Sequence, residues 1–485
     1  MASNLIGVIP AAGRGARAYP YTRVIPKAML DICGEPVLHY TVTTMRDQLG
    51  IRDIIIVVGE HGESIRRHFG DGERYGVRIG YVQNEHIELG LAHSVLLART
   101  QVPDEHFVVM LSDELYWNSN HRELLERDYA NAAATLAIRA HSSNKDIRKN
   151  FGVELEGERV VRVIEKPPSS ANGLLGCGTY VFSRAIFDVL ERRYARDAPQ
   201  KGDLTAAIQE LIASGAPVNR FALTGDYINV NYQEDIHYAR SIVRRGRLET
   251  AKVSVVMPCD SSLAVIEDML RNAQRQPRVD EVVLVARHAD PGLEELAAGH
   301  GAKLVVVDGG SRAAYGELFR TGIAASTGDI VVLTMDDESF DLGDVSKLLG
   351  YMCEADLVLG TRTTGQLVQQ GSNLNWAARV GNYALAKLIQ VLWAGRGVRL
   401  TDVGCTFRAL WCVTYDQISA DLQSRGPEIA PEMIVEALRH RLWVIEIPIN
   451  YCRTTDETRI RVEHRNIGVF FSMAALIISK RLRAA

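Results

Sequence analysis

A glycine-rich segment with basic side chains follows the first apolar run of the chain. The run 5–10 reads LIGVIP, and the residues after it are Ala11-Ala12-Gly13-Arg14-Gly15-Ala16-Arg17. Glycines after a strand let backbone N–H groups approach a phosphate closely, and an arginine there supplies a fixed positive charge. A dinucleotide-binding loop is the alternative, but it requires an acidic residue about 20 residues further on. The second run ends in Gly59-Glu60, about 45 residues on, which weakens that alternative.

The loop belongs to a long ordered pattern in the first half of the chain. Its motifs are Pro20, Thr22, Pro26-Lys27-Ala28-Met29-Leu30, Gly34-x-Pro36, Glu85-x-x-x-Leu89-Gly90, Leu111-Ser112-Asp113, Glu165-Lys166-Pro167, Gly178-Thr179-Tyr180 and Tyr227-Ile228-Asn229-Val230-Asn231. Over residues 4–240 this pattern closely resembles the sugar-phosphate nucleotidylyltransferases. The resemblance implies Mg²⁺-dependent transfer of a nucleotidyl group from an NTP to a sugar 1-phosphate or polyol phosphate, with release of pyrophosphate.

The resemblance also implies a role for each motif. Asp113 and Asn229 would hold Mg²⁺, which takes one or two protein oxygens and keeps substrate phosphates and water in its other positions. Arg17 and Lys27 would stabilise the triphosphate as pyrophosphate leaves, and Lys166 would orient the attacking sugar phosphate. The other implied contacts are to the nucleotide, from Ala12, Gly13, Gly15, Glu85 and Gly90, and to the sugar, from Glu165 and Gly178.

Two positions leave alternatives open. Asn229 stands where many members of that family carry Asp, which removes one negative charge at the metal. The register set by Leu89-Gly90 selects Glu85 as the base-reading residue, and its carboxylate would accept from N–H donors of guanine or cytosine. A shifted loop selects Gln83 instead, whose amide could pair with uracil or thymine.

A second ordered pattern begins after a basic, polar stretch at 244–250. It consists of Val253-Ser254-Val255-Val256-Met257-Pro258, Asp336-Asp337-Glu338, Asp356-Leu357-Val358-Leu359-Gly360-Thr361-Arg362, Thr401-Asp402-Val403-Gly404-Cys405-Thr406-Phe407-Arg408 and Pro448-Ile449-Asn450-Tyr451-x-Arg453. It resembles family 2 glycosyltransferases, above all the polyprenyl-phosphate sugar synthases. The implied activity is glycosyl transfer from an NDP-sugar to an acceptor such as polyprenyl phosphate.

That second resemblance assigns a further set of residues. Asp336 and Glu338 would form the metal pair, for Mg²⁺ or Mn²⁺. Asp402 would act in catalysis, Pro258 would contact the nucleotide, and Arg408 and Arg453 would bind substrate phosphate. The family usually has V-D-D-x-S after the second strand, whereas this chain has Val285-Ala286-Arg287-His288. A non-catalytic binding or assembly domain of the same fold is therefore the alternative.

Alternating β-branched runs and helical patterns must position these residues, and they favour an α/β class in both halves. The predicted strands are 5–10, 53–59, 78–82, 107–111, 135–139 and 180–182, then 252–258, 281–285, 303–307, 329–334 and 356–360. We predict two tandem Rossmann-like domains of the GT-A type, 1–248 and 249–485. Each should have a mainly parallel central sheet flanked by helices.

The composition of the chain indicates which partners and which location to expect. A net charge of −4 disfavours nucleic acid, because proteins that bind its phosphate backbone carry a basic excess. Seven scattered cysteines fit a reducing compartment, so a cytoplasmic location is expected. We also expect a homo-oligomer. The segment 459–485 carries six Lys/Arg around the apolar block 467–479. It predicts either peripheral contact with the inner face of the membrane or a helix packed on the domain.

Overall fold

The computed structural model describes residues 5–13, 25–102, 106–140, 149–167, 173–196, 203–288, 290–307, 314–336, 338–370, 372, 376–453 and 467–483. The chain divides into two compact units, Met1–Ile242 and Val243–Ala485. This division falls inside the helix Gln233–Leu248, a few residues before the predicted boundary between 248 and 249. Among the described residues, no helix combines the length and the apolar character needed to span a bilayer.

The first unit is built from thirteen strands and six helices in its described part. The strands are β1 Ile6–Ala11, β2 Asp31–Ile32, β3 Glu35–Pro36, β4 Asp53–Val58, β5 Arg78–Gln83, β6 His106–Met110, β7 Glu114–Trp117, β8 Ala134–Ala140, β9 Phe151–Glu156, β10 Arg159–Glu165, β11 Leu174–Ser183, β12 Val218–Ala222 and β13 Asp226–Asn229. The helices are α1 Val37–Asp47, α2 Gly62–Phe69, α3 Leu91–Leu97, α4 Ala185–Arg196, α5 Leu204–Ala213 and α6 Gln233–Leu248.

The central sheet of the first unit is mixed, in the order β5-β4-β1-β6-β11-β8-β12-β10-β9. Strands β5, β4, β1 and β6 are parallel, whereas β11 is antiparallel to both β6 and β8. The prediction of a mainly parallel sheet therefore holds for only one part of it. The short turn between β9 and β10 gives one reason, because a tight turn can join only antiparallel strands.

Helices on both faces of the sheet explain why its inner strands are apolar throughout. Val8 of β1 belongs to one hydrophobic core, and its neighbour Ile9 belongs to the other. Side chains alternate between the faces of a strand, so two separate cores require both faces to be covered. Since β1 and β6 are parallel neighbours, the segments that follow them emerge at the same edge of the sheet.

The second unit has seven strands and eight helices in its described part. The strands are β14 Val253–Cys259, β15 Glu281–Ala286, β16 Lys303–Val306, β17 Ile330–Leu333, β18 Leu357–Thr361, β19 Arg408–Trp411 and β20 Val444–Pro448. The helices are α7 Leu263–Gln274, α8 Pro291–Gly299, α9 Tyr315–Ala325, α10 Val345–Gly350, α11 Trp376–Leu392, α12 Cys412–Ser419, α13 Ile429–Arg439 and α14 Ile467–Leu482.

The sheet of the second unit runs β16-β15-β14-β17-β19-β18-β20. Only β19 is antiparallel to its neighbours, so this sheet is mainly parallel as predicted. Each strand expected from the sequence in either unit is present. The α/β class predicted for the two halves is confirmed.

Candidate active site

A cavity of about 400 Å³ lies at the edge of the first sheet where β1 and β6 end. Its lining residues come from the glycine-rich loop, the 3₁₀ turn Lys27–Met29, the start of α3 and the segment after β6. They are Pro10, Ala11, Ala12, Gly13, Lys27, Ala28, Ile87, Gly90, Leu91, Ser94, Leu111, Ser112, Asp113 and Asn231. The predicted nucleotide contacts Ala12, Gly13 and Gly90 therefore lie in one cavity with the predicted catalytic lysine and a predicted metal ligand.

Three polar side chains meet at one side of this cavity. Lys27 Nζ donates to Asp113 Oδ2, and it also donates to Asn231 Oδ1 at 3.0 Å. Asn231 is almost fully buried, and its Nδ2 donates to Asn229 Oδ1 at 2.7 Å, which aims its own Oδ1 at the lysine. The site thus presents a carboxylate and an amide oxygen to a positive charge.

Asn229, the second predicted metal ligand, is connected to this group through its hydrogen bond with Asn231. Its Nδ2 donates to Asn150 Oδ1 at 2.8 Å, and the side chain lines a neighbouring cavity of about 380 Å³ that also contains Arg139 and Lys149. Asn231 has the more direct contact with Lys27, and sequence reasoning did not single it out. The spacing of two between the asparagines was the available signal, because such residues project to the same side of an extended segment.

Glu114 follows Asp113 and is completely buried beneath the site. Burial, followed by the charge of Asp113, raises the pKa of Glu114 to about 7. Its carboxylate accepts from the hydroxyls of Tyr116 and Tyr227 at 2.5 and 2.9 Å and from the N–H of Gly178 at 2.7 Å. This network supports Asn229 as well, since Asn229 Nδ2 lies 3.3 Å from Glu114 Oε1.

Gly178, predicted to contact the sugar, has a packing role in this structure. A Cβ at this position would lie 2.5 Å from Leu111 Cγ and 2.7 Å from Glu114 Cδ. Its carbonyl also accepts from the N–H of Leu111 at 2.9 Å. Only glycine lets β11 approach the residues after β6 this closely, and that approach fixes the backbone that leads into Asp113.

Glu165 and Lys166 lie at the end of β10, away from the cavity that holds Lys27. Lys166 is half-exposed, and its Nζ lies 2.7 Å from Glu165 Oε1. Glu165 also accepts from Thr205 Oγ1 at 2.8 Å. Glu165 and Thr205 line a cavity of about 550 Å³ together with Asp203, and Lys166 is not part of this lining. Lys166 connects to the site through its backbone, because its N–H donates to the carbonyl of Asn150 at 2.9 Å.

The base-reading candidates lie at the end of β5 and just after it. Glu85 is exposed and is not among the described residues that line the 400 Å³ cavity. Gln83 is also exposed, and its Nε2 donates to the carbonyl of Gly59 at 3.2 Å while its Oε1 accepts from Arg66 at 3.3 Å. Arg17 and Gly15 fall in the stretch 14–24, outside the described residues.

In the second unit, the predicted metal pair follows β17. Asp336 is completely buried, and its Oδ2 accepts from the N–H groups of Asp260 and Ser261 at 2.5 and 2.6 Å. Glu338 has a φ of 56°, in the left-handed region that non-glycine residues seldom adopt. Pro258 is buried at the end of β14, just before the loop that caps Asp336.

Asp402 is held by an ion pair inside the second unit. Its two oxygens accept from Arg362 Nε and Nη2 at 2.7 and 2.8 Å, and its own N–H donates to Glu446 Oε1 at 2.7 Å. Despite the burial of Arg362, the carboxylate of Asp402 raises the pKa of that guanidinium well above its usual value. Burial raises the pKa of Glu446.

The two predicted phosphate-binding arginines differ in their surroundings. Arg408 is buried in β19, where its guanidinium donates to the carbonyls of Ala430 and Cys405, and burial lowers its pKa to about 10. This places Arg408 in the core of the unit rather than on a cavity. Arg453 is exposed at the end of the chain segment that follows β20, and its N–H donates to Gln369 Oε1 at 2.9 Å.

Arg287 lies in the segment 285–288, where the family 2 pattern has V-D-D-x-S. It forms an ion pair with Asp260, which also accepts from the hydroxyl of Tyr315 at 2.9 Å. The guanidinium lies 5.3 Å from the centre of the Tyr315 ring. A positive charge neutralised by a neighbouring carboxylate therefore follows β15.

Comparison with known proteins identifies both halves. Residues 6–239 match the nucleotidyl transferase family, and residues 254–408 match glycosyl transferase family 2. UTP–glucose-1-phosphate uridylyltransferase AglF of Haloferax volcanii is 30% identical over 230 residues, which are 47% of this chain and 92% of that protein. The chain belongs to the nucleotidyl transferase family.

Other relatives of this nucleotidyl transferase family member also match its first half. The low-salt glycan biosynthesis nucleotidyltransferase Agl11 of Haloferax volcanii is 31% identical over 49% of the chain, and the chain spans 65% of Agl11. A glucose-1-phosphate thymidylyltransferase of Streptomyces antibioticus is 32% identical over 45% of the chain, which spans 60% of that enzyme. Among solved structures, a UDP-glucose pyrophosphorylase complexed with UDP-glucose is 20% identical, with a TM-score of 0.44 over 50% of this chain and all of that one.

Proposed function

We propose that the first unit transfers a nucleotidyl group from an NTP to a sugar 1-phosphate, or a related polyol phosphate, and releases pyrophosphate. The observation that carries this proposal is the position of the Lys27 ammonium, which contacts the carboxylate of Asp113 and the amide oxygen of Asn231 in a cavity lined by the glycine loop. The relatives named uridylyl- and thymidylyltransferase support the same reaction class.

The oxygens around Lys27 suit Mg²⁺, which prefers carboxylate and amide oxygen ligands. Asp113 and Asn231 already hold one cation, the lysine ammonium, and Asn229 is hydrogen-bonded to Asn231 at 2.7 Å. We infer that Asp113, with an oxygen from Asn231 or Asn229, holds the ion. When bound, Mg²⁺ would neutralise charge on the triphosphate and on the departing pyrophosphate.

The residues of the chain then supply positioning and charge. Backbone N–H groups of the loop at Ala12 and Gly13 would approach the triphosphate, and Lys27 would turn from Asp113 towards the leaving pyrophosphate. The cavity beside Asn229, with its cations Arg139 and Lys149, would receive the sugar phosphate. A phosphate oxygen of the sugar forms the new bond to the α-phosphorus as the bond to the β-phosphate oxygen breaks.

For the second unit we propose glycosyl transfer from the NDP-activated product to an acceptor, such as a lipid phosphate. The match of residues 254–408 to glycosyl transferase family 2 supports this proposal, as does the buried acid Asp336 at the end of a central strand. The full chain would then make an activated sugar and consume it. Asp336 and Glu338 would hold the Mg²⁺ or Mn²⁺ ion for this transfer.

The second candidate keeps nucleotidyl transfer alone and treats the second unit as a binding or assembly module. Arg287 favours this candidate, because its ion pair with Asp260 follows β15, where the family 2 pattern has the acids of V-D-D-x-S. The ion pair of Asp402 with Arg362 also favours this candidate, since both oxygens of the carboxylate assigned to catalysis accept hydrogen bonds from an arginine of the same unit.

Two assays on the purified full chain test these proposals. Pyrophosphate release is measured for ATP, CTP, GTP, UTP and dTTP, each against a panel of sugar 1-phosphates and polyol phosphates with Mg²⁺. No release with any pair would refute nucleotidyl transfer. Radiolabelled sugar is then followed into a polyprenyl phosphate acceptor, and transfer that is lost in Asp336→Ala/Glu338→Ala supports the bifunctional enzyme. Absent transfer, with pyrophosphate release intact, supports the second candidate.

A further inference from the structure

Exposed large apolar side chains are concentrated on two helices of the second unit, α11 and α14. Of the 16 such side chains among the described residues of the whole chain, seven lie on these helices, which have 17 and 16 residues. The seven are Trp376, Val380, Tyr383, Val391, Phe471, Ile478 and Leu482. An apolar surface of this kind marks a contact with a partner or a membrane.

On α11 the exposed apolar residues form one stripe. Their spacing of four, three and eight residues keeps Trp376, Val380, Tyr383 and Val391 on one side of a helix. The opposite side packs into the unit through Leu385, Ala386 and Ile389. Trp376 is 78% exposed and Val391 is 74% exposed, so this stripe is left uncovered by the unit that carries it.

On α14 both faces are apolar. Met473, Ile477 and Lys480 are buried, whereas Phe471, Ala475, Ile478 and Leu482 form an exposed stripe with the spacing four, three, four. A helix on the surface of a protein in water normally presents a polar outer face, and one that is apolar all round is covered. The outer stripe of α14 therefore indicates a second contact in addition to the packing on its own unit.

A buried ion cluster fixes which face of α14 points outward. Lys480 Nζ lies 2.8 Å from Glu432 Oε1 and 2.7 Å from Glu436 Oε1, and it donates to the carbonyl of Asp421 at 2.6 Å. All three charged side chains are nearly or completely buried. Breaking one partner of such a cluster leaves an uncompensated buried charge, so rotation of the helix is disfavoured.

The two helices lie side by side. A Cβ on Gly381 would lie 3.5 Å from the ring of Phe470, and the Arg481 guanidinium lies 5.9 Å from the centre of the Trp393 ring. From the first contact to the second, both segments move forward along the chain by about the same number of residues. The two helices therefore run in the same direction. We call α11 and α14, with their exposed stripes, the paired-helix surface.

The charge of the paired-helix surface selects its partner. The helices α11 and α14 contain no Asp or Glu, and they contain four Lys/Arg, of which Lys480 is buried. A second copy would place these basic side chains against each other, which is unfavourable. An anionic lipid surface instead accepts apolar side chains and attracts the basic ones. We propose that the paired-helix surface docks the protein onto an anionic membrane.

Vesicle co-sedimentation with the full chain tests this proposal. We expect binding to vesicles that contain phosphatidylglycerol, weaker binding to pure phosphatidylcholine, and weakening of the former by added salt. The variant Trp376→Glu/Phe471→Glu should bind anionic vesicles at least about tenfold more weakly, because two apolar anchors are replaced by charges that lipid phosphates repel. The matched control, Val306→Glu/Tyr351→Glu, changes exposed apolar residues on other elements and should bind as the parent does.

Two results would overturn the proposal. The parent protein could fail to sediment with anionic vesicles, or the two double variants could bind them equally well. If the parent fails to bind, sedimentation equilibrium could also give an oligomer for the parent and a monomer for Trp376→Glu/Phe471→Glu. That result would assign the paired-helix surface to a second copy. Circular dichroism and urea unfolding of each variant, measured in parallel, verify that the second unit is folded and do not depend on the outcome.

Discussion

Lys27 Nζ donates to Asn231 Oδ1 at 3.0 Å, although 204 residues separate the two in the chain. The same ammonium donates to Asp113 Oδ2, so residues from three distant segments converge on one positive charge. The convergence follows from the sheet, because the segments after β1 and β6 leave it at the same edge.

Removal of Asn231 should impair nucleotidyl transfer more than removal of Asn229. Asn231 contacts the Lys27 ammonium directly, whereas Asn229 contacts Asn231, so we expect losses of at least about a hundredfold for Asn231→Ala and about tenfold for Asn229→Ala. Pyrophosphate release at a series of Mg²⁺ concentrations measures both, with Asn219→Ala on β12 as control. A larger loss in Asn229→Ala would instead favour the pair Asp113 and Asn229.

The charge of Lys27 should matter more than its volume. Lys27→Met is expected to reduce kcat by about a hundredfold or more, because a cation near the leaving phosphates is lost, and Lys27→Arg should restore part of that loss. Steady-state kinetics with Lys252→Met as control measures the effect. Equal activity of the Met and Arg variants would contradict a role for the positive charge.

His121 should make the first unit less stable in acid. Burial lowers its pKa to about 4 from 6.5, and its ring nitrogens lie 2.7 Å from Ser119 Oγ and 3.1 Å from Thr179 Oγ1. The unfolded state binds the proton more readily, so this contribution to stability is complete above pH 6.5 and is lost as the pH falls towards 4. The full loss is about 3 kcal/mol.

Urea unfolding between pH 7 and pH 4 measures this dependence. His121→Gln cannot take up the proton, so its free energy of unfolding should change less over this range than that of the parent protein. The exposed residue His61 provides the control, since His61→Gln should leave the dependence unchanged. Parallel curves for the parent and His121→Gln would show that folding does not change the proton affinity of this ring.

The ion pair of Arg362 and Asp402 should contribute to the stability of the second unit. Each single change, Arg362→Ala or Asp402→Ala, leaves one buried charge without its partner and should cost about 3–5 kcal/mol. The double variant should lose less than the two single losses combined. The exposed Arg271 serves as the control, because Arg271→Ala should cost less than about 1 kcal/mol.

The outcome for Asp402 separates two roles. Unfolding curves give stability, and transfer of radiolabelled sugar gives activity. If Asp402→Asn unfolds like the parent but transfers no sugar, the carboxylate acts on substrate and its ion pair is secondary. Strictly additive losses in the double-variant cycle would contradict the coupling that the bidentate contact implies.

The sequence was sufficient for eleven of the strands and for the segments that follow them. Apolar runs such as 53–59 and 281–285 predict buried strands, because both faces of an inner strand are covered. Asp113 and Lys27 were placed by motif order alone, and they do lie together. The antiparallel strand β19 was not predicted, because Arg408 at its start looks like a surface residue in a linear pattern.

The features that the sequence did not predict depend on packing between segments that are distant in the chain. Arg408 is buried because β19 inserts between β17 and β18, and the order of strands in a sheet is not written in local periodicity. Glu114 looks like an ordinary charge beside Asp113, and only the approach of Gly178 and Tyr227 reveals it as a buried acid. Asn231 was part of a motif, but its direct contact with Lys27 depends on where β13 ends.

The central claim is that the first unit transfers a nucleotidyl group at the site formed by Lys27, Asp113 and Asn231. Pyrophosphate release by the full chain, with Mg²⁺, an NTP and a sugar 1-phosphate, tests it most directly. We predict release by the parent and by the control Asp188→Ala, no release without Mg²⁺, and a loss of at least about a hundredfold in Asp113→Ala. Unchanged release in Asp113→Ala would contradict this assignment of the site.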